Sequence, residues 1–369
     1  MTSKGVSRVR AAVINAIGSA FEIEEVEIAE PQGSEVLVDV RAVGLCHSDL
    51  HFAQADVGMP LPLVLGHEVA GVVVAVGEDV TGLVPGDHVV GSLIQSCGTC
   101  PRCTAGAPFQ CLNPFATLRG PDEPSRLTRD GQPVFGAFGL GGFAERALVH
   151  ENQLAKVDTA VPFAEASILG CGVLTGVGAV LNGAGVKEGD TVAVIGLGGV
   201  GLNVLSGARL AGASRIIGVD VNDEKLALAA SFGATDTVNG ADSDAVAAVL
   251  ELTGGVDHAF EVIGMKQTSE QAIAMLGVGG TAHLIGIHKP DRPIEIDVNT
   301  LLAPQRGIRG VYMGSSDLHR DVPRYAKLFL DGELNLSDLI SREINIDQIN
   351  DAYEELKNGA IARSVITSF

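Results

Sequence analysis

The sequence predicts an α/β protein in which a doubly wound parallel sheet is joined to a β-rich domain of irregular pattern. Three observations carry this. A chain of 369 residues exceeds the size at which one hydrophobic core keeps growing, so two domains are expected. From about residue 172 strand patterns alternate with helix patterns, as a parallel sheet requires. Before that point, residues 11–150 read as short β-rich runs broken by Pro and Gly.

In the first half the strand candidates are residues 21–28, 35–45, 69–76 and 88–93. In the second half they are 192–195, 215–219, 256–262, 281–287 and 308–313, with helix candidates at 223–232 and 242–253. An amphipathic helix over 322–331, another near 347–358 and a terminal run 363–369 fall outside the alternating pattern and are assigned back to the first domain. The expected division is 1–171 with 315–369 against 172–314. Met1 to Arg8 are expected to fray, and no internal repeat is evident.

A net charge of -20 with no basic stripe makes nucleic acid and anionic membranes poor partners. Residues 166–186 and 191–208 carry no charge, but the first is studded with Gly170, Gly172, Gly176, Gly178, Gly183 and Gly185. Both therefore read as buried pieces of a soluble domain rather than membrane spans. Lys4, Arg8 and Arg10 are followed by no continuous apolar run, so no secretory signal is expected and a cytoplasmic location follows. Six cysteines in that compartment do not form a disulfide framework.

Ile195 closes a buried strand and is followed by Gly196-Leu197-Gly198-Gly199-Val200-Gly201 and a helix, with Asp220 closing the next strand. Glycines at this spacing allow a tight turn and close approach of backbone to a pyrophosphate. The helix N-terminus favours the anion, and a carboxylate at the next strand end accepts from the adenosine ribose. Asp220 would repel a 2′-phosphate, which favours NAD over NADP. Lys225 either touches that ribose or is a solvated helix residue.

Cys97, Cys100, Cys103 and Cys111 form C-x2-C-x2-C-x7-C within a loop at 95–113. Four thiolates so close in sequence can surround one tetrahedral ion, which makes a structural zinc the favoured reading; a redox dithiol or an iron site remains as the alternative. The other two cysteines, Cys46 and Cys171, have a possible companion in His67. Two thiolates and one imidazole leave zinc a fourth position open, as a Lewis-acid centre needs. In isolation His67 reads as a core histidine and Cys171 as a small buried hydrophobe.

The surrounding text decides between them. Gly44-Leu45-Cys46-His47-Ser48-Asp49-Leu50-His51 and Gly66-His67-Glu68-Val69-Ala70-Gly71 resemble the two signature stretches of zinc-containing alcohol dehydrogenases of the medium-chain dehydrogenase/reductase family. The cysteine lobe, Gly170-Cys171-Gly172 and the glycine turn follow in the family's order. Two cysteines and one histidine are the set known for zinc in alcohol dehydrogenases, so that assignment belongs to the resemblance and not to spacing. The resemblance spans nearly the whole chain and implies a GroES-like catalytic domain, a Rossmann NAD-binding domain and an active site in the cleft between them.

It further implies that Cys46, His67 and Cys171 hold a catalytic zinc, beside a structural zinc in the lobe. Ser48 and His51 resemble the family's proton relay, and Asp49 a carboxylate that orients His67. Glu68 either ligates the metal transiently or answers local positive charge. His47 and Arg363 fall at pyrophosphate contacts, and Arg363 can fork onto phosphate. Thr175, Val262, Ile287 and the backbone of Gly199 and Val200 line the nicotinamide half, although the apolar ones could equally be core.

Pocket positions implied by the resemblance are Ser48, Val57 and Leu93, with Phe138 and Leu140 nearby, which suits a small-to-medium, mostly apolar primary or secondary alcohol. Glutathione-dependent formaldehyde dehydrogenases of the family carry an arginine and a pocket acid where Phe115 and Val57 stand, which argues against a charged thiol adduct. The length of 112–142 resembles dimeric members, and an edge strand near 308–313 is expected to build a homodimer. Two alternatives stay open: a non-catalytic NAD-binding sensor or scaffold, and a polyol- or threonine-type dehydrogenase of the same fold. The second is disfavoured because each buried hydroxyl needs a partner.

Overall fold

The computed structural model describes residues 6–289, 292–357 and 363–369. The chain forms two compact units, Met1–Cys171 with Asp317–Phe369, and Gly172–Ser316.

The second unit is a six-stranded, all-parallel sheet. Its strands are β1 (Thr191–Ile195), β2 (Arg215–Asp220), β3 (Asp236–Asn239), β4 (Val256–Glu261), β5 (Leu276–Leu284) and β6 (Gly307–Gly310), in the spatial order β3-β2-β1-β4-β5-β6. The order reverses beside β1, the switch point at which doubly wound sheets bind ligands past the carboxyl ends of their strands. Ala193, Ile195, Ile217, Val219, Ala259 and Ala282 alternate onto one face, where Val249, Ile273 and Met275 cover them. Residues between them, such as Val192, Val194, Ile216 and Phe260, are buried as well, and burial of both faces is why the central strands read as near-continuous apolar runs.

Several boundaries differ from those the sequence suggests. The unit ends at Ser316 rather than 314, because the Ser316 hydroxyl donates to the Leu174 carbonyl at 3.1 Å and ties the turn at 313–315 to helix Leu174–Gly178. The strand expected over 308–313 stops at Gly310, since Met313–Ser315 is a 3₁₀ turn. The strand expected over 281–287 is Leu276–Leu284, and the helix expected from 242 begins at Ala245, where Asp244 accepts from the Val246 and Ala247 N–H groups. β3 and helix Lys266–Ala274 carry too few apolar residues to stand out in the sequence.

In the first unit, strands Val6–Ile14, Glu22–Ala29, Leu127–Arg129, Gln132–Gly136 and Leu63–Val64 close a small barrel. A seven-stranded sheet runs Leu154–Lys156, His88–Gly91, Glu68–Val76, Glu35–Gly44, Arg363–Ser368 and Ile340–Asn345, with Arg146–His150 also pairing with Glu35–Gly44. The C-terminal run thus returns to this unit. Helix Leu318–Leu330 starts ahead of the expected 322, capped by Asp317, and helix Ile349–Lys357 falls inside the expected 347–358. Asn358 and Met1 to Gly5 lie outside the described residues, and residues 6–8, expected to fray, are strand. Phe163–Ala184 is long and apolar enough to cross a membrane, but 83% of its apolar window is buried within the protein.

Candidate active site

The sheet of the first unit brings distant residues together by register. Gly44 lies opposite Glu68 on one side and Val365 on the other, and the Leu45 N–H donates to the Ser364 carbonyl at 3.0 Å. Cys46, His67 with Glu68, and Arg363 therefore sit where three neighbouring strands end. A Cβ on Gly44 would stand 2.3 Å from a Glu68 carboxylate oxygen, so only glycine lets the Glu68 side chain cross this strand. Cys171 arrives from the helical run that begins at Phe163, within a π-helical turn, Leu169–Val173. Such turns recur at functional sites because they rotate one side chain out of register.

One ligand atom from each of Cys46, His67, Glu68 and Cys171 lies within 4.8 Å of the other three, and all four residues are buried. Asp49 Oδ1 lies 2.9 Å from His67 Nδ1 and accepts from the Gly66 N–H at 3.1 Å. That bond fixes the ring and leaves His67 Nε2, fully buried, with no hydrogen-bond partner. A buried orphan imidazole nitrogen beside two sulfurs fits a soft divalent ion, because water is not at hand to satisfy it and metal coordination does.

The charges around this point favour ionised ligands. The Cys171 thiol hydrogen-bonds to the Cys46 sulfur and, against the opposing effect of burial and together with Arg363 and His67, holds the Cys46 thiol well below its ordinary range. Cys46 also precedes helix His47–Gln54 as its N-cap, where the helix dipole stabilises a thiolate. Burial pushes the His67 imidazole down, but the Asp49 carboxylate outweighs it. Burial lifts the Glu68 carboxyl to about 7, against the pull of Arg363. Arg363 Nη1 pairs with Glu68 at 2.7 Å, while a Glu68 carboxylate oxygen also lies within 4.8 Å of the Cys46, His67 and Cys171 ligand atoms. Arg363 itself, expected to meet a pyrophosphate, is 8% exposed and has this carboxylate as its partner.

Ser48 and His51 lie three residues apart on helix His47–Gln54, hence on one face, and both are half-buried. The Cys46 sulfur lies 3.7 Å from the Ser48 hydroxyl. His47 is exposed. Of the expected pocket residues, Leu140 and Leu93 are buried, Phe138 is half-buried and Val57 is exposed. The Phe138 ring stands edge-on to His67, with centroids 6.1 Å apart.

The lobe cysteines also converge, all four sulfurs within 4.8 Å of one another. Sγ of Cys100 is 3.5 Å from that of Cys103 and 4.0 Å from that of Cys111. Sulfurs about 2.3 Å from a central zinc stand a little under 4 Å apart, whereas a disulfide needs about 2 Å. All six cysteines are free. Backbone N–H groups aim at the sulfurs, Cys100 N–H to Cys97 at 3.3 Å, Cys97 N–H and Asn113 N–H to Cys111 at 3.2 and 3.3 Å. The N–H groups of Thr99 and Cys100 bring the Cys97 thiol down to about 6.

In the second unit, Gly198 precedes helix Gly199–Leu210 as its N-cap, and a Cβ on it would meet nothing within 4 Å, so the turn opens onto free space. Gly196 has φ +98°, and a Cβ on Gly201 would stand 1.8 Å from the Gly196 carbonyl oxygen. The turn therefore closes only with glycine at both positions. Asp220 Oδ2 accepts from the Leu197 N–H at 2.7 Å and Oδ1 from the Val221 and Asn222 N–H groups, at 2.8 and 3.0 Å. The carboxylate is thereby pinned to the turn with lone pairs to spare for hydroxyls. Lys225 is half-buried, its N–H donating to Asn222 Oδ1 at 3.2 Å. Thr175 is buried, in helix Leu174–Gly178, which packs on the 199–203 turn through Gly176. Val262 lies against both turn glycines, and exposed Ile287 is brought to the same loop by Gly264.

Glu261 was not singled out from the sequence. It is fully buried, and its Oε1 accepts from the Ile263 and Gly264 N–H groups at 2.9 and 2.8 Å and from the Thr268 hydroxyl at 2.8 Å, shaping the 262–264 loop. The available signal was a carboxylate at the end of an otherwise apolar strand run.

Two sulfurs and an oriented imidazole are too few to clamp a tetrahedral zinc shut, and they sit in a chain whose other unit offers a dinucleotide turn; the class these features define is a zinc-dependent dehydrogenase. Residues 32–159 match the alcohol dehydrogenase GroES-like domain and 199–331 the zinc-binding dehydrogenase domain. The chain is 37% identical over 366 residues to the NDMA-dependent alcohol dehydrogenase of Amycolatopsis methanolica, covering 97% of this chain and 98% of that protein. It is 37% identical over 375 residues to alcohol dehydrogenase class-P of Arabidopsis thaliana, with 99% of each covered. Among solved structures, the benzyl alcohol dehydrogenase of Acinetobacter calcoaceticus superimposes with a TM-score of 0.92 at 35% identity, covering 98% of this chain and 100% of that one. An alcohol dehydrogenase zinc-binding domain protein of Burkholderia ambifaria reaches 0.95 at 39% identity, covering 99% and 100%. The chain belongs to the zinc-type alcohol dehydrogenases of the medium-chain dehydrogenase/reductase family. It is an enzyme, an oxidoreductase acting on alcohols.

Proposed function

We propose that the chain is an NAD-linked dehydrogenase that interconverts a small-to-medium, mostly apolar primary or secondary alcohol with its aldehyde or ketone, using two zinc ions per subunit. The observation that carries this is the meeting of Cys46, His67 and Cys171 within 4.8 Å, with His67 Nε2 unpartnered. When bound, a zinc ion polarises the alcohol oxygen and lowers its pKa, and the nicotinamide takes the hydride.

The protein's own groups do the rest. Cys46 and Cys171 bind as thiolates and His67 through Nε2, with Asp49 holding the ring by its other nitrogen. Ser48, beside the Cys46 sulfur, receives the alcohol proton, and His51, half-buried one turn further along the helix, exchanges it with water. Arg363 keeps Glu68 occupied, so that this carboxylate does not compete for the open metal position. Gly196, Gly198, Gly199, Val200 and Gly201 cradle the pyrophosphate, helped by His47, while Asp220 and Lys225 meet the adenosine ribose and Thr175, Val262 and Ile287 the nicotinamide half. Cys97, Cys100, Cys103 and Cys111 hold the second zinc.

The apolar Phe138 ring beside His67 supports an apolar substrate, and Leu93 and Leu140, both buried, are assigned to the same pocket by the family likeness. A cytoplasmic homodimer belongs to the same reading; among the described residues edge strand β6 pairs on one side only, and Leu302 and Tyr312, close to it in sequence, are exposed. The test is NADH formation on mixing enzyme, NAD and an alcohol panel, with loss on chelation and return on adding zinc. Turnover that survives complete zinc removal would overturn the reading.

A further inference from the structure

Residues 137–140 form a tight turn in which the Leu140 N–H donates to the Ala137 carbonyl at 2.9 Å. Both central residues have positive φ, Phe138 at 55° with ψ 17°, and Gly139 at 73°. Turns of this hand take Asn, Asp or Gly at the first central position, because a Cβ there crowds the backbone. This chain instead places a large aromatic side chain at the strained position. Strain of that kind persists only where the surroundings over-determine it, and it clusters at binding sites.

Arg126 Nη1 donates to the Gly139 carbonyl at 3.4 Å, while Gln153, which is fully buried, fastens the turn at Phe138. Its side-chain amide donates to the Phe138 carbonyl at 2.9 Å and to the Ser92 carbonyl at 3.1 Å, and its own backbone carbonyl accepts from the Ser92 N–H at 3.0 Å. A Cβ on Gly139 would stand 3.0 Å from Gln153 Oε1, so the carboxamide fills the space the turn leaves. The ring held in this way stands edge-on to His67, with centroids 6.1 Å apart, and to Phe52, at 5.1 Å. Ser92 precedes Leu93, so one side chain anchors both the turn that carries Phe138 and the segment that carries Leu93.

We propose that Gln153 is a positioning residue for substrate selection: by locking Phe138 in its strained turn it holds the aromatic wall beside His67 against which the alcohol's carbon chain packs. The inference rests on the reading that the alcohol oxygen binds at Cys46, His67 and Cys171. Gln153 touches neither substrate nor metal in this scheme. Its removal leaves the reacting groups in place and lets the wall relax, so large substrates that pack on the ring lose more than small ones.

The test measures kcat and KM separately for benzyl alcohol and 1-propanol, with zinc content per chain as a second readout. For Gln153→Leu, KM for benzyl alcohol is expected to rise about tenfold while kcat for 1-propanol stays within about twofold. Zinc content should not change. In a Phe138→Gly background, where no side chain needs holding and glycine accepts the turn, adding Gln153→Leu should change the ratio of the two alcohols by less than about twofold. If Gln153→Leu does not fold, Gln153→Asn keeps the carboxamide but falls one methylene short of the Phe138 carbonyl, and the same ratio is read. Equal losses for both alcohols, or full additivity with Phe138→Gly, overturn the proposal. Wild-type turnover that survives zinc removal overturns the underlying reading, and this inference with it.

Discussion

Asp49 offers the sharpest test of how the metal centre is assembled. Its Oδ1 serves two buried donors at once, lying 2.9 Å from His67 Nδ1 and accepting from the Gly66 N–H at 3.1 Å. Asp49→Ala leaves both unsatisfied in a site without water access, and at about 1–3 kcal/mol for each orphaned donor the loss of stability should be about 2–6 kcal/mol. It also frees the His67 ring, so zinc affinity should fall about a hundredfold, the upper end for loss of a carboxylate behind a ligand imidazole. Asp49→Asn separates charge from geometry. Its amide oxygen can still accept from Nδ1, so stability should fall less and affinity only about tenfold. Competition for zinc against a chromophoric chelator reads the affinities, and thermal unfolding reads the stability. An Asp49→Asn variant that holds zinc as tightly as the wild type, with Asp49→Ala melting unchanged, would refute the argument that this carboxylate fixes the ligand.

Cys103→Ser should lower zinc per chain by one and destabilise the protein without abolishing NAD binding, measured by elemental analysis and cofactor titration; retention of both ions would remove the lobe as a metal site. Asp220→Ser should raise KM for NAD about tenfold or more, as loss of a charged hydrogen-bond acceptor predicts, and narrow the preference over NADP. An unchanged ratio of the two cofactors counts against Asp220 as the discriminating residue. Burial pushes the Glu35 carboxyl up, but Arg119 and Arg126, at 2.6 and 2.7 Å, outweigh it and hold the group below its ordinary range. A depressed folded pKa contributes stability above the ordinary carboxylate range and loses it as pH falls through the folded value. Glu35→Gln should therefore cost about 3–5 kcal/mol at neutral pH, since it leaves two buried guanidinium groups unanswered. It should also flatten the acid limb of stability against pH; a limb as steep as the wild type's would assign acid unfolding to other carboxylates.

The division of labour between sequence and fold follows distance along the chain. The cysteine lobe and the glycine turn were legible because their groups lie within a few residues of one another, and local spacing alone sets their geometry. The alternating second unit was legible for a related reason, since burial of central strands β1 and β2 on both faces leaves apolar runs in the text, which edge strand β3 lacks. The boundaries were less so: Asp244 and Asp317 set helix starts by capping the N–H groups two and three residues on, local signals that the apolar pattern does not carry, while the turn at 313–315 shortened a strand and is tied to helix Leu174–Gly178.

Only the tertiary structure could decide the first unit's site. Cys46, His67, Cys171 and Arg363 meet because three strands end at one level of a sheet and a π-helical turn brings in the last sulfur. The sequence supplied the residue types, and a family likeness grouped most of them, but the pairing of Arg363 with Glu68 depends on strand register, which no local pattern encodes. The same holds for Asp220, pinned by the Leu197 N–H of another strand's turn, and for Phe138, whose carbonyl accepts from an amide fifteen residues further along. Spacing specifies groups that are neighbours in the chain; groups that are neighbours only in space are specified by packing, which a linear text records one residue at a time.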